Sequence, residues 1–375
     1  MIPFNKPYMT GLELEYIRQA VATGKISGDG SFTRKCHSWL ENRLGGGRAF
    51  LTSSCTDALE AAALLCNVQP GDEVIMPSYT FVSTANAFVL RGARIRFIDS
   101  RVDHPNMDAA LVEEVLNERS KVIVPVHYAG MACQMDEITA LARVHGLRVV
   151  EDAAQAIDSF YKGRPLGTLS DLAAFSFHET KNLIAGEGGS LHVNDPMLVG
   201  DAEIVREKGT NRSSFFRGEI DKYGWVKVGS SFLPSDLTAA FLYAQFEACD
   251  RIQARRHAIW NRYAAKLASL QGAGCLELPK VPDGATNNAH MFYVVCESLA
   301  VRTGLIERLK TAGVLAVFHY QSLHASHYFA SQHDGRDLPH ADRYTDCLLR
   351  LPLFFELSDD QVDHVCDVVL RFFGQ

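Results

Sequence analysis

Short apolar runs alternate with amphipathic stretches through the first half of the chain, and this alternation limits the fold more than any other feature. Candidate strands lie at 48–51, 73–76, 95–99, 122–126, 147–150, 172–177 and 190–193, with candidate helices at 56–66, 83–91, 108–118 and 135–145. Strands joined by crossovers of roughly a dozen residues pair in parallel, so the pattern predicts an α/β protein with a doubly wound, mostly parallel sheet. At 375 residues and 47% hydrophobic content the chain can bury a large core and a second, smaller one. A composition shift at 235–250, where Asp236-Leu237-Thr238-Ala239-Ala240-Phe241 begins a long helix, marks the expected hinge. The division is a large α/β domain over 1–240 and a smaller α+β domain over 241–375. In the smaller domain the strand signals are 291–296 and 315–318, and the helix signals are 302–311, 342–350 and 360–373.

Lys181 stands in an unusual context. It follows the apolar run ending Phe175-Ser176-Phe177-His178 and precedes the turn Gly186-Glu187-Gly188-Gly189. Most lysines occupy a solvated face; this one reads as a strand-end lysine at the floor of a cleft. Desolvation disfavours the ammonium form, and a lysine that sheds its proton near neutrality can condense with an aldehyde.

Asp152 closes the run Leu147-Arg148-Val149-Val150-Glu151, and carboxyl ends of strands are where α/β proteins place catalytic groups. Pyridoxal 5'-phosphate needs such a carboxylate, because its ring withdraws electrons only while the ring nitrogen stays protonated. Alone, Asp152 reads equally as a helix N-cap. If a helix starts there, Gln155 shares its face and reaches the ring hydroxyl. Thr52-Ser53-Ser54-Cys55-Thr56-Asp57 precedes an apolar helix, and free amides at a helix start favour a phosphate. The amides of Thr56 and Asp57 and the hydroxyl of Ser176 are assigned that role, with plain N-capping as the simpler use of the same residues. Phe81 is placed to stack on the pyridine ring, although an aromatic there also serves as core. His178, beside Lys181, either orients substrate or bonds backbone.

These residues, in this order, resemble the sugar aminotransferases that use pyridoxal phosphate in the fold type I architecture. The resemblance covers nearly the whole chain, from Ile2-Pro3-Phe4 through Ser27-Gly28-Asp29-Gly30, Pro77-Ser78-Tyr79-Thr80-Phe81, Pro125-Val126-His127-Tyr128 and Glu151-Asp152-Ala153-Ala154-Gln155 to His319-Tyr320. It implies that Lys181 carries the cofactor and shuttles a proton, and that Asp152 pairs with the cofactor ring. It also puts Gly28, Gly30, Thr33, His319 and Tyr320 at the sugar, beside His178. The segments Ser176-Phe177-His178-Glu179-Thr180-Lys181-Asn182, Glu207-Lys208-Gly209-Thr210-Asn211-Arg212 and Met291-Phe292-Tyr293 are nearest to members that aminate a 4-keto-6-deoxy sugar nucleotide. The implied partners are L-glutamate and a dTDP-linked keto sugar, and the implied assembly is a homodimer, or a dimer of dimers, with shared active sites. Many relatives donate an asparagine or arginine across the dimer to the cofactor phosphate. This chain instead reads Gly229-Ser230-Ser231-Phe232-Leu233-Pro234-Ser235, so that ligand stays unassigned, with a serine or Asn211 as the replacement.

Bulk properties fit an enzyme of this class. A net charge of -7 provides no basic face for nucleic acid. The 9 cysteines have no close CxxC pair and read as reduced core residues. The start lacks an apolar leader and no run approaches about 18 apolar residues, so the chain is expected in the cytoplasm. His324 and His327 could share a helix face, yet no carboxylate or cysteine completes a metal set, and no metal is expected. Gly45-Gly46-Gly47 lacks a phosphate-loop lysine, and Gly28-Asp29-Gly30 lacks the strand and helix of a dinucleotide site. Related dehydratases resemble this chain but carry histidine in place of Lys181, so transamination is favoured over dehydration. A non-catalytic regulator is disfavoured because no nucleic-acid-binding domain is appended.

Overall fold

The computed structural model describes residues 1–375. Seven strands form its main sheet: β1 (Arg48–Thr52), β2 (Glu73–Pro77), β3 (Arg94–Ile98), β4 (Ser120–Ile123), β5 (Arg148–Asp152), β6 (Leu172–Ser176) and β7 (Gly189–Val193). Their spatial order is β1-β7-β6-β5-β4-β2-β3. From β3 to β6 every pairing is parallel, as the crossover lengths predict. β7 differs, running antiparallel to both β6 and β1. The segment between β6 and β7 folds back on itself instead of crossing the sheet. Phe177 N–H donates to Gly188 O at 2.8 Å and Glu179 N–H to Gly186 O at 2.9 Å, so β7 returns beside β6 in the opposite sense. Every residue of β2, β6 and β7 is buried, as expected for strands covered on both faces.

The helices on the main-sheet side are α1 (Glu13–Ala22), α2 (Ser31–Leu44), α3 (Cys55–Leu65), α4 (Val82–Val89), α5 (Met135–His145), α6 (Val199–Arg206) and α7 (Asp236–Glu247), and α8 (Cys249–Gly272) leads from α7 into the second layer. Of these, α3 lies closest on the centre of the sheet. Ala58, Ala61, Ala62 and Ala63 are buried, and their small side chains let the helix approach β6 and β7. Its N-cap is Ser54, whose hydroxyl accepts from the Asp57 amide at 3.0 Å, a contact worth about 1 kcal/mol. α5 ends where predicted, because Gly146 takes the left-handed φ of 65° that terminates it.

The helix expected over 108–118 is only a 3-10 turn, Ala109–Leu111, running into one turn of α-helix, Val112–Val115. Local side-chain bonding ends it: the Asn117 amide group donates to the buried Glu73 carboxylate at 2.6 Å, and its backbone N–H to the Ser120 hydroxyl at 3.0 Å.

Beyond α8, a three-stranded antiparallel sheet of β8 (Leu276–Glu277), β9 (Phe292–Cys296) and β10 (Leu348–Leu351) packs with α9 (Leu299–Thr311), α10 (Pro339–Cys347) and α11 (Asp359–Phe372). The helix expected over 342–350 therefore stops at Cys347. Leu348, Leu349 and Leu351 continue as a strand because pairing with β9 buries them. The strand expected over 315–318 contributes only a single bridge, Val317 to Arg350. The larger apolar core runs without a break from Phe50 and Val74 to Tyr263, Phe292 and Val365, joining one face of the main sheet to the second layer. The other face has its own core around Phe175, Phe177 and Phe246. The division expected between 240 and 241 falls inside α7, whose buried Ala239, Ala240, Leu242 and Phe246 belong to this second core.

Candidate active site

One cavity of about 770 Å³ lies where the carboxyl ends of β5 and β6 meet the start of α3 and the second layer. Its lining brings together Thr56, Phe81, Asp152, Gln155, Ser176, His178, Lys181, His319 and Tyr320, residues spread over most of the sequence.

Asp152, at the last position of β5, is 5% exposed. One carboxylate oxygen accepts from the Thr84 hydroxyl at 2.7 Å and the other from the Ala154 amide at 3.1 Å. Burial raises its pKa; the Thr84 and Ala154 bonds and the Lys181 charge pull it back down. Lys181 sits in the turn after β6, its amide donating to His178 O at 2.9 Å. Burial lowers its pKa, opposed by Cys55 and Asp152, so its amine gives up a proton more readily than a surface lysine.

Gln155 reaches the cavity by a different route from the one the sequence suggests. No helix begins at Asp152; the chain turns instead, and Ala153 N–H donates to Ala174 O. Gln155 is locked in place, its carbonyl accepting from the Ala129 amide at 2.6 Å and its amide donating to the Tyr320 hydroxyl at 2.9 Å. Tyr320 stacks on His319 with ring centroids 3.6 Å apart. His319 Nδ1 lies 2.7 Å from the Tyr128 hydroxyl, and burial, with the Arg350 charge next, keeps this imidazole neutral. Phe81 caps α4 and is 53% exposed, its ring 6.0 Å from that of Tyr320. His178 accepts from the Thr180 amide at 3.3 Å through Nδ1, which leaves its other nitrogen, Nε2, facing Glu187 at 3.7 Å.

At the start of α3 the Asp57 amide is occupied by Ser54, and the Thr56 hydroxyl lies 2.8 Å from that of Ser83. Asp57 does not line the cavity, whereas Ser54, Cys55 and Thr56 do. Gly28 and Thr33 are not brought here either. Thr33 is wholly buried, its amide and hydroxyl both donating to Asp236 at 2.8 Å, so in this chain it fixes α2 to α7. Gly28 lines a separate cleft of about 470 Å³ with Lys25, Lys208 and Arg212.

Four residues of the cavity do not stand out in the sequence. Thr84 lies in a run that local pattern explains by capping alone, and Cys55, although the one cysteine near the expected chemistry, has no base beside it in sequence. His290, held through Nδ1 by Asn182 at 2.9 Å, is tied to the Lys181 segment only through that asparagine. Arg350, on β10, falls at the end of a segment with helical periodicity. Its position inside the apolar run Leu348-Leu349-Arg350-Leu351 is the available signal.

The residues fit pyridoxal phosphate. A buried carboxylate held on both oxygens, an unpaired lysine, and a helix start with hydroxyls around it line one cavity, which are the partners of its ring nitrogen, aldehyde and phosphate. Fold and site together define a fold type I pyridoxal-phosphate aminotransferase. Residues 7–370 match the DegT/DnrJ/EryC1/StrS aminotransferase family, and the chain belongs to it. It is 33% identical over 377 residues to the spore coat polysaccharide biosynthesis protein SpsC of Bacillus subtilis (strain 168), covering 98% of this chain and 96% of that protein. The structure superposes on the aminotransferase TlmJ from Streptoalloteichus hindustanus with a TM-score of 0.91 at 32% identity, covering 100% and 99% of the two chains. It also matches the PMP-form of Spr1654 from Streptococcus pneumoniae, with a TM-score of 0.91 at 25% identity over 99% of each chain. No helix is long and apolar enough to cross a membrane.

Proposed function

We propose that this sugar aminotransferase moves the amino group of L-glutamate to C4 of dTDP-4-keto-6-deoxy-D-glucose, giving 2-oxoglutarate and dTDP-4-amino-4,6-dideoxy-D-galactose. The observation that carries the chemistry is the pairing, in one cavity, of an unpartnered lysine of lowered pKa with a doubly hydrogen-bonded buried carboxylate. The choice of sugar and donor is supported by the Ser176 to Asn182, Glu207 to Arg212 and Met291 to Tyr293 segments. Retention of Lys181 argues against dehydration, since the dehydratases that the chain resembles replace it.

Bound pyridoxal phosphate stores the amino group between the two half-reactions and accepts the electron pair left when a C–H bond breaks. The chain's own residues do the rest. The Lys181 amine takes a proton from the donor's α-carbon in the first half-reaction and delivers one to C4 of the sugar in the second, a positioned acid–base role worth typically about 10²- to 10⁴-fold. Asp152 holds the ring nitrogen's proton. Ser54, Thr56, Ser176 and the first amides of α3 fix the phosphate, so that the lysine and the reacting carbon stay in register. Gln155, Tyr320 and His319 form a wall that excludes water from that carbon. We take the working unit to be a homodimer. The exposed aromatics Phe216 and Trp225, which are 69% and 80% accessible, support a partner seated on this part of the surface.

The test is an absorbance titration of the purified protein with L-glutamate and then with the keto sugar, followed by NMR of the product. A spectral change with glutamate, its reversal with the sugar, an axial C4 amine, and loss of both in Lys181→Ala are expected. A protein loaded with pyridoxal phosphate that does not respond to glutamate would overturn the donor, and an equatorial amine would overturn the product. Sedimentation of the active species as a monomer would remove the partner's contribution.

A further inference from the structure

Thr80, in the loop between β2 and α4, has its hydroxyl 2.9 Å from that of Thr84, which in turn donates to Asp152 at 2.7 Å. That loop belongs to no helix or strand, and Ser78 fastens it to the second layer. The Ser78 carbonyl accepts from the Thr80 amide at 3.1 Å and from the Leu323 amide at 2.9 Å, one for each lone pair. Its hydroxyl accepts from the His324 amide at 3.2 Å and lies 2.7 Å from His324 Nδ1. A serine hydroxyl has a single proton, which here goes to Nδ1, so the ring is neutral with its own proton on Nε2. Nε2 faces the Asp342 carboxylate at 3.6 Å, and burial lowers the pKa of the ring, as a neutral imidazole requires. The second-layer side of the contact is itself held. Ser322 N–H donates to the Thr345 hydroxyl at 2.9 Å, and the start of α10 is bound to Asp99, just beyond β3, by the amides of His340 at 3.0 Å and Ala341 at 2.7 Å.

A continuous path of contacts therefore runs from His324 through Ser78, Thr80 and Thr84 to Asp152, and every residue on it is buried. We infer that His324 is a positioning residue for the reaction, acting through Ser78 and the two threonines on the direction of the Asp152 carboxylate. Were the contact only a clamp between layers, its loss would lower stability and leave that direction untouched. Two features extend its reach. Thr80 and Leu323 share one acceptor, so a shift of the second-layer segment carries the Thr80 amide with it. Oδ2 of Asp152 receives no hydrogen bond except that of Thr84, so its aim depends on where the threonines stand. The inference rests on the aminotransferase reading, which gives Asp152 a ring nitrogen to meet, and not on the identity of the donor or the sugar.

The experiment compares His324→Leu, His324→Asn and Ser78→Ala, each alone and combined with Asp152→Asn. The half-reaction of the holoenzyme with a panel of amino donors is followed by absorbance, pyridoxal phosphate affinity by fluorescence titration, and Tm by circular dichroism. His324→Leu and Ser78→Ala are expected to lower both the half-reaction rate and cofactor affinity by about fivefold to tenfold, the worth of one hydrogen bond. His324→Asn, which puts an acceptor where Nδ1 stood, recovers most of the loss. In the Asp152→Asn background the same substitutions change either quantity by less than about twofold, because no charge is left to aim. Losses that multiply across the two sites overturn the inference, since multiplication marks independent effects. A lowered Tm with rate and cofactor affinity unchanged overturns it as well, leaving His324 a clamp between layers. If His324→Leu does not fold, Ser78→Ala and His324→Asn decide by the same criteria. A wild type that reacts with no amino donor overturns the aminotransferase reading, and cofactor affinity then decides the coupling on its own.

Discussion

The Thr84 hydroxyl donates to Oδ2 of Asp152 across 2.7 Å, 68 residues away in sequence and wholly inside the protein. Thr84 has one proton to give, so the hydroxyl of Thr80, 2.9 Å away, must donate to Thr84 in turn. A two-hydroxyl chain on α4 and the loop before it thus aims and steadies the carboxylate that the cofactor ring requires. Burial favours the neutral acid at Asp152, and these bonds favour the anion.

Thr84→Val keeps the shape and removes the donor. A hydrogen bond to a charged group contributes about 1.5–3 kcal/mol, so kcat is expected to fall roughly 10- to 100-fold. Asp152→Asn should cost more, because it removes the charge itself, and Thr84→Ser should restore most of the rate. Steady-state kinetics on the three variants check this; a Thr84→Val enzyme with wild-type kcat would show that the contact only packs α4.

How far the sequence alone foretells this site depends on the range of the interactions involved. Asp152 stands at a strand end and Lys181 in the turn five residues beyond one, and strand ends follow from local apolar periodicity, so both are legible. The direction of β7 is not: a five-residue apolar strand has the same pattern in either orientation, and here the fold-back between Phe177 and Gly188 decides it. Thr33 reads as a sugar contact by resemblance, but Asp236, 203 residues away, takes both its donors, and no local pattern announces such a pairing. Arg350 is hidden for the opposite reason. Helical periodicity through 342–350 is plausible locally, and only pairing with β9 turns its last residues into a strand that points an arginine at the cavity.

Acid should destabilise the protein through three desolvated neutral histidines, the buried His104 and His192 and the half-buried His37. His37 accepts from the Leu51 amide at 2.9 Å and His104 from the Asn106 amide at 3.1 Å, so each uses a lone pair that protonation would remove. His192, wholly buried in β7, has no hydrogen-bond partner on either nitrogen. Burial lowers their pKa values from 6.5 to about 3, about 3 and about 4 respectively. A histidine with a folded pKa below its unfolded one binds more protons when unfolded, so stability is lost as pH falls below 6.5 and is flat above it for these groups. Two to three such groups give a slope of about 3–4 kcal/mol per pH unit between roughly pH 6 and 4. Urea unfolding at pH 7.5, 6 and 5 measures it, and a midpoint that does not move between pH 6 and 5 would mean these rings protonate in place.

Gly189 offers a test of the phosphate end that leaves every proposed ligand side chain untouched. It is the first residue of β7, where the strand passes beneath the start of α3. A Cβ there would lie 2.4 Å from the Cys55 nitrogen and 2.4 Å from the Ser54 carbonyl carbon. Those are backbone atoms and cannot rotate away, so Gly189→Ala must push the first turn of α3 off the strand. Overpacking of this kind costs about 1–3 kcal/mol, read as a lowered Tm. It should also weaken pyridoxal phosphate binding by roughly tenfold or more, because amides displaced by even a few tenths of an ångström no longer converge on the phosphate. Gly186→Ala is the control. No atom lies within 4 Å of its added Cβ, but its φ of +79° makes any side chain strained, so it should cost about 1–2 kcal/mol of stability with cofactor affinity unchanged. If Gly189→Ala loses stability yet binds the cofactor as tightly as wild type in a fluorescence titration, the phosphate is held elsewhere than at the start of α3.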